Sequence, residues 1–168
     1  MTTPAPTPSA KENIGPVCLV TGGAGYLGTF IIRRLLSQGY RVHAFDLKPC
    51  QIDDKNVTSF TGDIREYENL RAACEGASTV FHTAAIISLL GICKPDIRNT
   101  VMDINVAGTA QLIKVAQDTG VKRLIYTSSN NVCFDREIVM GDESIPRATR
   151  PLDLYTESKG MAEKLVLE

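Results

Sequence analysis

Apolar residues first gather in this chain as an unbroken run. Val17, Cys18, Leu19 and Val20 show no alternation, so the strand they predict leaves neither face to water. From Tyr26 the pattern changes to helical. Phe30, Ile31, Leu35 and Leu36 recur at helical spacing with Arg33, Arg34 and Gln38 between them, which predicts a helix with one buried face, stopped by Gly39. Arg41–Asp46 alternates as a second strand, and Val57–Thr61 reads as a third. Glu66–Cys74 is a short helix ending at Gly76, and Thr79–His82 begins a fourth strand. Asp103–Asp118 predicts a long helix with Ile104, Ala107, Leu112 and Val115 near one face, followed by a fifth strand over Leu124–Ser129 and a last helix over Leu154–Glu168. The turn formers Gly141, Asp142, Pro146 and Pro151 make Asn130–Asp153 a loop, with a short hairpin around Met140-Gly141-Asp142. Strands and helices alternate throughout. The predicted fold is α/β, a doubly wound parallel sheet with right-handed crossovers that places ligands at the carboxyl ends of its strands.

Composition narrows the setting. With 168 residues, 43% of them hydrophobic, the chain can bury one substantial core. Its net charge of −1 gives no basic footprint for a nucleic-acid partner. Cys18, Cys50, Cys74, Cys93 and Cys133 are scattered without metal-ligand spacing, as expected of reduced thiols in a cytosol-facing protein. Residues 1–16 hold four prolines among Thr, Ser and Ala and read as a disordered leader. Residues 17–168 form the single domain. The most apolar later run, Ala84 to Cys93, is about half the length a bilayer requires.

The candidate chemistry begins between the first strand and helix, in Thr21-Gly22-Gly23-Ala24-Gly25-Tyr26-Leu27-Gly28. Glycines there permit positive φ and close approach of a ligand, and the free N–H groups of the following helix suit a pyrophosphate. Asp46 ends the second strand, where a carboxylate receives adenosine ribose hydroxyls and repels a 2′-phosphate; this favours NAD over NADP. Asp63 suits either an adenine amino group or a turn. Thr83 and Ala84 close the fourth strand with small side chains, which a cofactor crossing the strand end requires. His82 and His43 read as packed strand residues. The fifth strand ends Tyr-Thr-Ser-Ser, and the last helix sets Tyr155 one turn before Lys159. A phenol is a poor base at neutral pH, but a neighbouring ammonium favours its phenolate.

Taken in order, Thr-Gly-Gly-Ala-Gly-Tyr-Leu-Gly (21 to 28), Gly-Asp-Ile (62 to 64), Val-Phe-His-Thr-Ala-Ala-Ile-Ile (80 to 87), Asn-Val-Ala-Gly-Thr (105 to 109), Tyr-Thr-Ser-Ser (126 to 129) and Tyr-Thr-Glu-Ser-Lys (155 to 159) resemble the extended short-chain dehydrogenases/reductases, most of all the 3β-hydroxysteroid dehydrogenase family. The resemblance implies a Rossmann fold and NAD-dependent oxidation of a steroid or sterol 3β-hydroxyl. Tyr155 would be the base, Lys159 would bind the nicotinamide ribose and hold the tyrosine pKa down, and Ser129, with Ser128 as the alternative, would bond the reacting oxygen. Asn105 would order a water in a proton path to the lysine. Gly22, Gly25, Tyr26, Leu27, Gly28, Asp46, Asp63, Ile64, Thr83, Ala84, Tyr155 and Lys159 would hold the cofactor. Family members continue past the Tyr-Lys helix into a further strand and a substrate region, so the chain reads as a fragment truncated in its last helix and inactive alone. The expected partner is a small steroid-like molecule and the location the cytoplasm or the cytosolic face of the endoplasmic reticulum; a homo-oligomer is allowed, and membrane contact would come only through the missing part. The alternatives are a nucleotide-sugar epimerase or dehydratase, an aromatic alcohol or ketone reductase, and a non-catalytic dinucleotide-binding module.

Overall fold

The computed structural model describes residues 15–87, 95–135, 137–142 and 144–168. Most of the proline-rich leader and of the apolar run before Cys93 therefore lies outside the described residues. The elements in order are β1 (Val17–Thr21), α1 (Tyr26–Ser37), β2 (Arg41–Asp46), β3 (Val57–Thr61), α2 (Tyr67–Cys74), β4 (Ala77–His82), α3 (Pro95–Met102), a π-helical turn (Asp103–Ala107), α4 (Gly108–Asp118), β5 (Arg123–Tyr126), a 3-10 turn (Asn130–Cys133) and α5 (Leu154–Leu167).

The five strands form one parallel sheet in the order β3-β2-β1-β4-β5. The chain winds outward from β1 through β2 to β3, then crosses back to β4 and β5. That reversal makes β1 and β4 the switch point where a doubly wound sheet opens a crevice. All five residues of β1 are buried, as a run without alternation requires. Leu19 faces one layer with Phe45, Leu70, Val80, Leu112 and Val115. Val20 faces the other with Ile32, Leu35, Val42 and Ala44.

Three stretches depart from the sequence expectation. The helix expected to begin at Asp103 begins instead at Pro95, suited to a first helical position, and its early turns were hidden because Val101 is the only buried residue of α3. The fifth strand stops at Tyr126 rather than Ser129. Its partner β4 ends at His82, paired with Tyr126, and only one further bond, Thr127 N–H to His82 O at 3.0 Å, follows. The 130–153 loop opens in a 3-10 turn, and the described residues around Met140-Gly141-Asp142 form no hairpin. Met140 takes a positive φ of 53°, and the Asp142 carboxylate instead accepts from Ser144 N–H and hydroxyl.

Candidate active site

The crevice is built at the ends of β1 to β4. Gly22 has φ +72°, and a Cβ on Gly28 would lie 2.1 Å from the Gly22 carbonyl oxygen, so α1 can press onto the loop only because both positions are glycine. No side chain caps α1 at Gly25, which leaves its first N–H groups for a ligand. The Asp46 carboxylate accepts from Ala24 N–H at 3.1 Å and Lys48 N–H at 3.3 Å, tying the end of β2 to the glycine loop. At the end of β3, Asp63 accepts the Arg65 guanidinium fork at 2.6 to 3.1 Å and Arg65 N–H at 2.9 Å. The fork holds its carboxyl below the usual carboxylate range. Asp63 thus closes a turn through Arg65 and also lines the crevice.

These residues enclose a cleft of about 300 Å³ lined by all ten positions expected at the cofactor outside α5: Gly22, Gly25, Tyr26, Leu27, Gly28, Asp46, Asp63, Ile64, Thr83 and Ala84. Phe45, Leu47, Ala85, Ile86 and Ile104 line it as well. Ala85 and Ile86 lie in the stretch 80 to 87 that carries the resemblance, whereas Phe45, Leu47 and Ile104 were missed because an apolar wall carries no motif.

Behind the cleft, a buried chain of hydrogen bonds joins four elements, β1, β4, the π turn and α4. The Thr109 hydroxyl donates to Asn105 O at 2.7 Å, so it accepts from His82 Nε2–H at 2.9 Å. That leaves His82 Nδ1 as the acceptor for the Thr21 hydroxyl at 2.7 Å, and fixes the imidazole as the neutral Nε2–H tautomer. Burial pushes its pKa down to about 3. His82 is the packed strand residue that the sequence implied.

Asn105 is buried in the π turn. Its Oδ1 accepts from Ile86 N–H at 2.9 Å, and its amide donates to Ile86 O at 3.0 Å and Ser158 Oγ at 2.9 Å. Both amide protons are therefore taken by protein groups, and the side chain braces the cleft wall against α5. Lys159 is 3% exposed. Its ammonium donates to Thr127 O at 2.6 Å and lies 4.0 Å from the centroid of the Tyr126 ring. Burial pushes the Lys159 pKa down to about 8, against the opposing effect of Glu163. Tyr155 is half-buried one turn earlier. The Ser128 hydroxyl donates to Glu163, which also accepts from Arg147 Nε at 2.6 Å. Ser129 caps the 3-10 turn, its Oγ accepting from Asn131 N–H at 3.3 Å. The side chains of Ser129, Tyr155 and Lys159 do not hydrogen-bond one another, so the structure holds the members of the expected relay without assembling it. Glu163 was not legible beforehand; its one signal is its place a turn after Lys159.

A parallel doubly wound sheet with a glycine loop at its switch point defines the class as dinucleotide-binding. The profile of the 3-beta hydroxysteroid dehydrogenase/isomerase family matches residues 19–168, and the chain belongs to that family. It is 42% identical over 164 residues to a 3-beta-hydroxysteroid dehydrogenase of Mycolicibacterium neoaurum, a match covering 95% of this chain and 44% of that protein. It is 38% identical over 164 residues to the decarboxylating sterol-4-alpha-carboxylate 3-dehydrogenase of Bos taurus, covering 95% and 42% respectively. A crystal structure of a short-chain dehydrogenase/reductase superfamily protein from Agrobacterium tumefaciens with bound NAD superposes with a TM-score of 0.78 at 31% identity, over 89% of this chain and 44% of that one. The chain thus spans well under half the length of these relatives. Among the described residues, no helix is long and apolar enough to cross a membrane, and no cluster of His, Cys, Asp and Glu could hold a metal ion.

Proposed function

We propose that the protein carrying this chain is an NAD-dependent dehydrogenase that oxidises the 3β-hydroxyl of a steroid or sterol, and that residues 17–168 form its dinucleotide-binding part together with its catalytic helix. The observation that carries this reading is the bracing of α5 against the glycine cleft. Asn105 links Ile86 of the cleft wall to Ser158, and on either side of Ser158 stand Tyr155 and the buried ammonium of Lys159. The fit to a dinucleotide is supported by the glycine cradle, where any side chain at 28 would collide with Gly22, and by the uncapped start of α1. When bound, the nicotinamide is the hydride acceptor.

The chain's own groups divide the remaining work. The uncapped start of α1 takes the pyrophosphate, and Asp46 takes the adenosine ribose hydroxyls. The Tyr155 oxygen accepts the substrate hydroxyl proton, made competent by the Lys159 ammonium on the same helix face. Ser129 has its proton uncommitted, whereas Ser128 donates to Glu163, which favours Ser129 as the donor to the reacting oxygen. In the full-length protein, Tyr155→Phe removes only the ionisable oxygen. It should lower steroid-dependent NADH formation by roughly 100-fold or more while leaving NAD binding close to wild type. Near-normal turnover in that variant, or turnover of a UDP-hexose in place of the steroid, would overturn the reading.

A further inference from the structure

The Lys159 ammonium has three protons and, among the described residues, one hydrogen-bond acceptor, Thr127 O. What covers it otherwise is an aromatic face, the Tyr126 ring at 4.0 Å. The Tyr126 hydroxyl is itself buried and has no partner among the described residues. A buried hydroxyl without a partner is unfavourable, so the O–H gives no physical reason for a tyrosine at 126, and the ring does. A cation facing an aromatic ring away from water gains most where hydration has been stripped from it.

We propose that Tyr126 is a positioning residue: its ring face seats the Lys159 ammonium at the end of β5 and keeps it charged there, so that the lysine can serve the role assigned to it above. The inference rests on that reading for its functional meaning, and on the ring geometry alone for its physics. Among the charged groups around Lys159, Glu163 also favours the ammonium, against the effect of burial. Glu163 of α5 is shared with Ser128 and with Arg147 of the loop. His82 of β4 is neutral, and burial pushes the Tyr126 phenol upward, so it stays protonated. Arg98 of α3 and Glu157 of α5 form a closed pair at 2.7 Å.

The test follows the Lys159 titration itself. The full-length protein labelled with ¹³C at lysine Cε is titrated by NMR, the Lys159 signal being assigned by its loss in Lys159→Arg. Position 126 carries Tyr, Phe, Leu, or a phenylalanine with one or three ring fluorines, which weaken the negative face at nearly constant shape. Tyr126→Phe should titrate at the wild-type midpoint and melt no lower. Fluorination should lower the midpoint stepwise, by about one pH unit for the trifluorinated ring. An unchanged midpoint across the fluorinated series, which folds whether or not Tyr126→Leu does, would overturn the proposal. So would a shift in Tyr126→Phe equal to that in Tyr126→Leu. Turnover of Lys159→Ala in the full-length enzyme separates the two readings. Full activity there removes the catalytic role of the lysine and leaves the ring seat standing. An inactive variant beside a flat titration series removes the ring seat alone.

Discussion

At the scale of single residues, the site is decided by which polar atoms are already committed. Asp46 uses both carboxylate oxygens to hold backbone N–H groups of the loop and of Lys48, so its charge is fixed at the rim of the cleft rather than free to swing away. A 2′-phosphate would meet that charge directly, and Asp46→Ala should narrow the preference for NAD over NADP by roughly tenfold or more, the scale of one lost charge contact of about 1.4 kcal/mol. Paired dissociation constants for both cofactors in wild type and variant measure this; tighter NADP binding by the wild type would contradict it. The place of Asp46 and the glycines at the cleft was readable in advance because each sits at a fixed offset within one local unit. Glu163, Tyr126 and Thr109 were not, because their roles arise only when distant strands and helices are brought together. Serine pairs show the same limit: adjacent hydroxyls at 128 and 129 look alike in sequence, and only Glu163 on one side and a 3-10 turn on the other tell them apart.

Between elements, the connection that matters runs from β1 through β4 to the π turn. Thr21, His82, Thr109 and Asn105 form one satisfied network across parts of the chain that the alternating pattern could only order, not link. The π turn itself was invisible to periodicity, since one extra residue in a helical turn leaves no mark in apolar spacing that stays close to helical. Its consequence can be measured through acid stability. His82 ordinarily takes up a proton near pH 6.5, whereas burial holds it neutral down to about 3. Between those values the unfolded chain binds a proton that the fold refuses, so stability is full above about pH 6.5 and falls by roughly 1.4 kcal/mol for each unit below it. His82→Gln should be less stable at neutral pH and should lack this component of the acid decline. Urea midpoints between pH 7 and 4 compare the two proteins, and parallel declines would show that His82 does not carry the effect.

Across the whole molecule, the alternation of parallel strands and helices was legible because Gly39, Gly76 and Gly120 each stop a helix just before β2, β4 and β5. The character of the sheet's two edges was less so. At β3 the edge is polar, with exposed Thr58 and Ser59, a composition that discourages pairing with another chain. At β5 the edge carries Ile125, 47% exposed, near a groove of mixed lining in which Ile113, Val121, Leu124 and Val166 meet Gln117, Lys122 and Arg123. Unpaired backbone groups next to apolar surface form a template for a further strand, so the isolated 168-residue chain should associate through β5 as its concentration rises. Ile125→Lys places a charge on that edge, and Ile125 is not among the residues that line the glycine cleft. The variant should therefore stay monomeric at concentrations where the wild type does not, while NAD titration gives the same affinity for both. Light scattering across a concentration series decides the matter: a wild-type chain that remains monomeric throughout, or a lysine variant that associates equally, would place the contact elsewhere on the molecule.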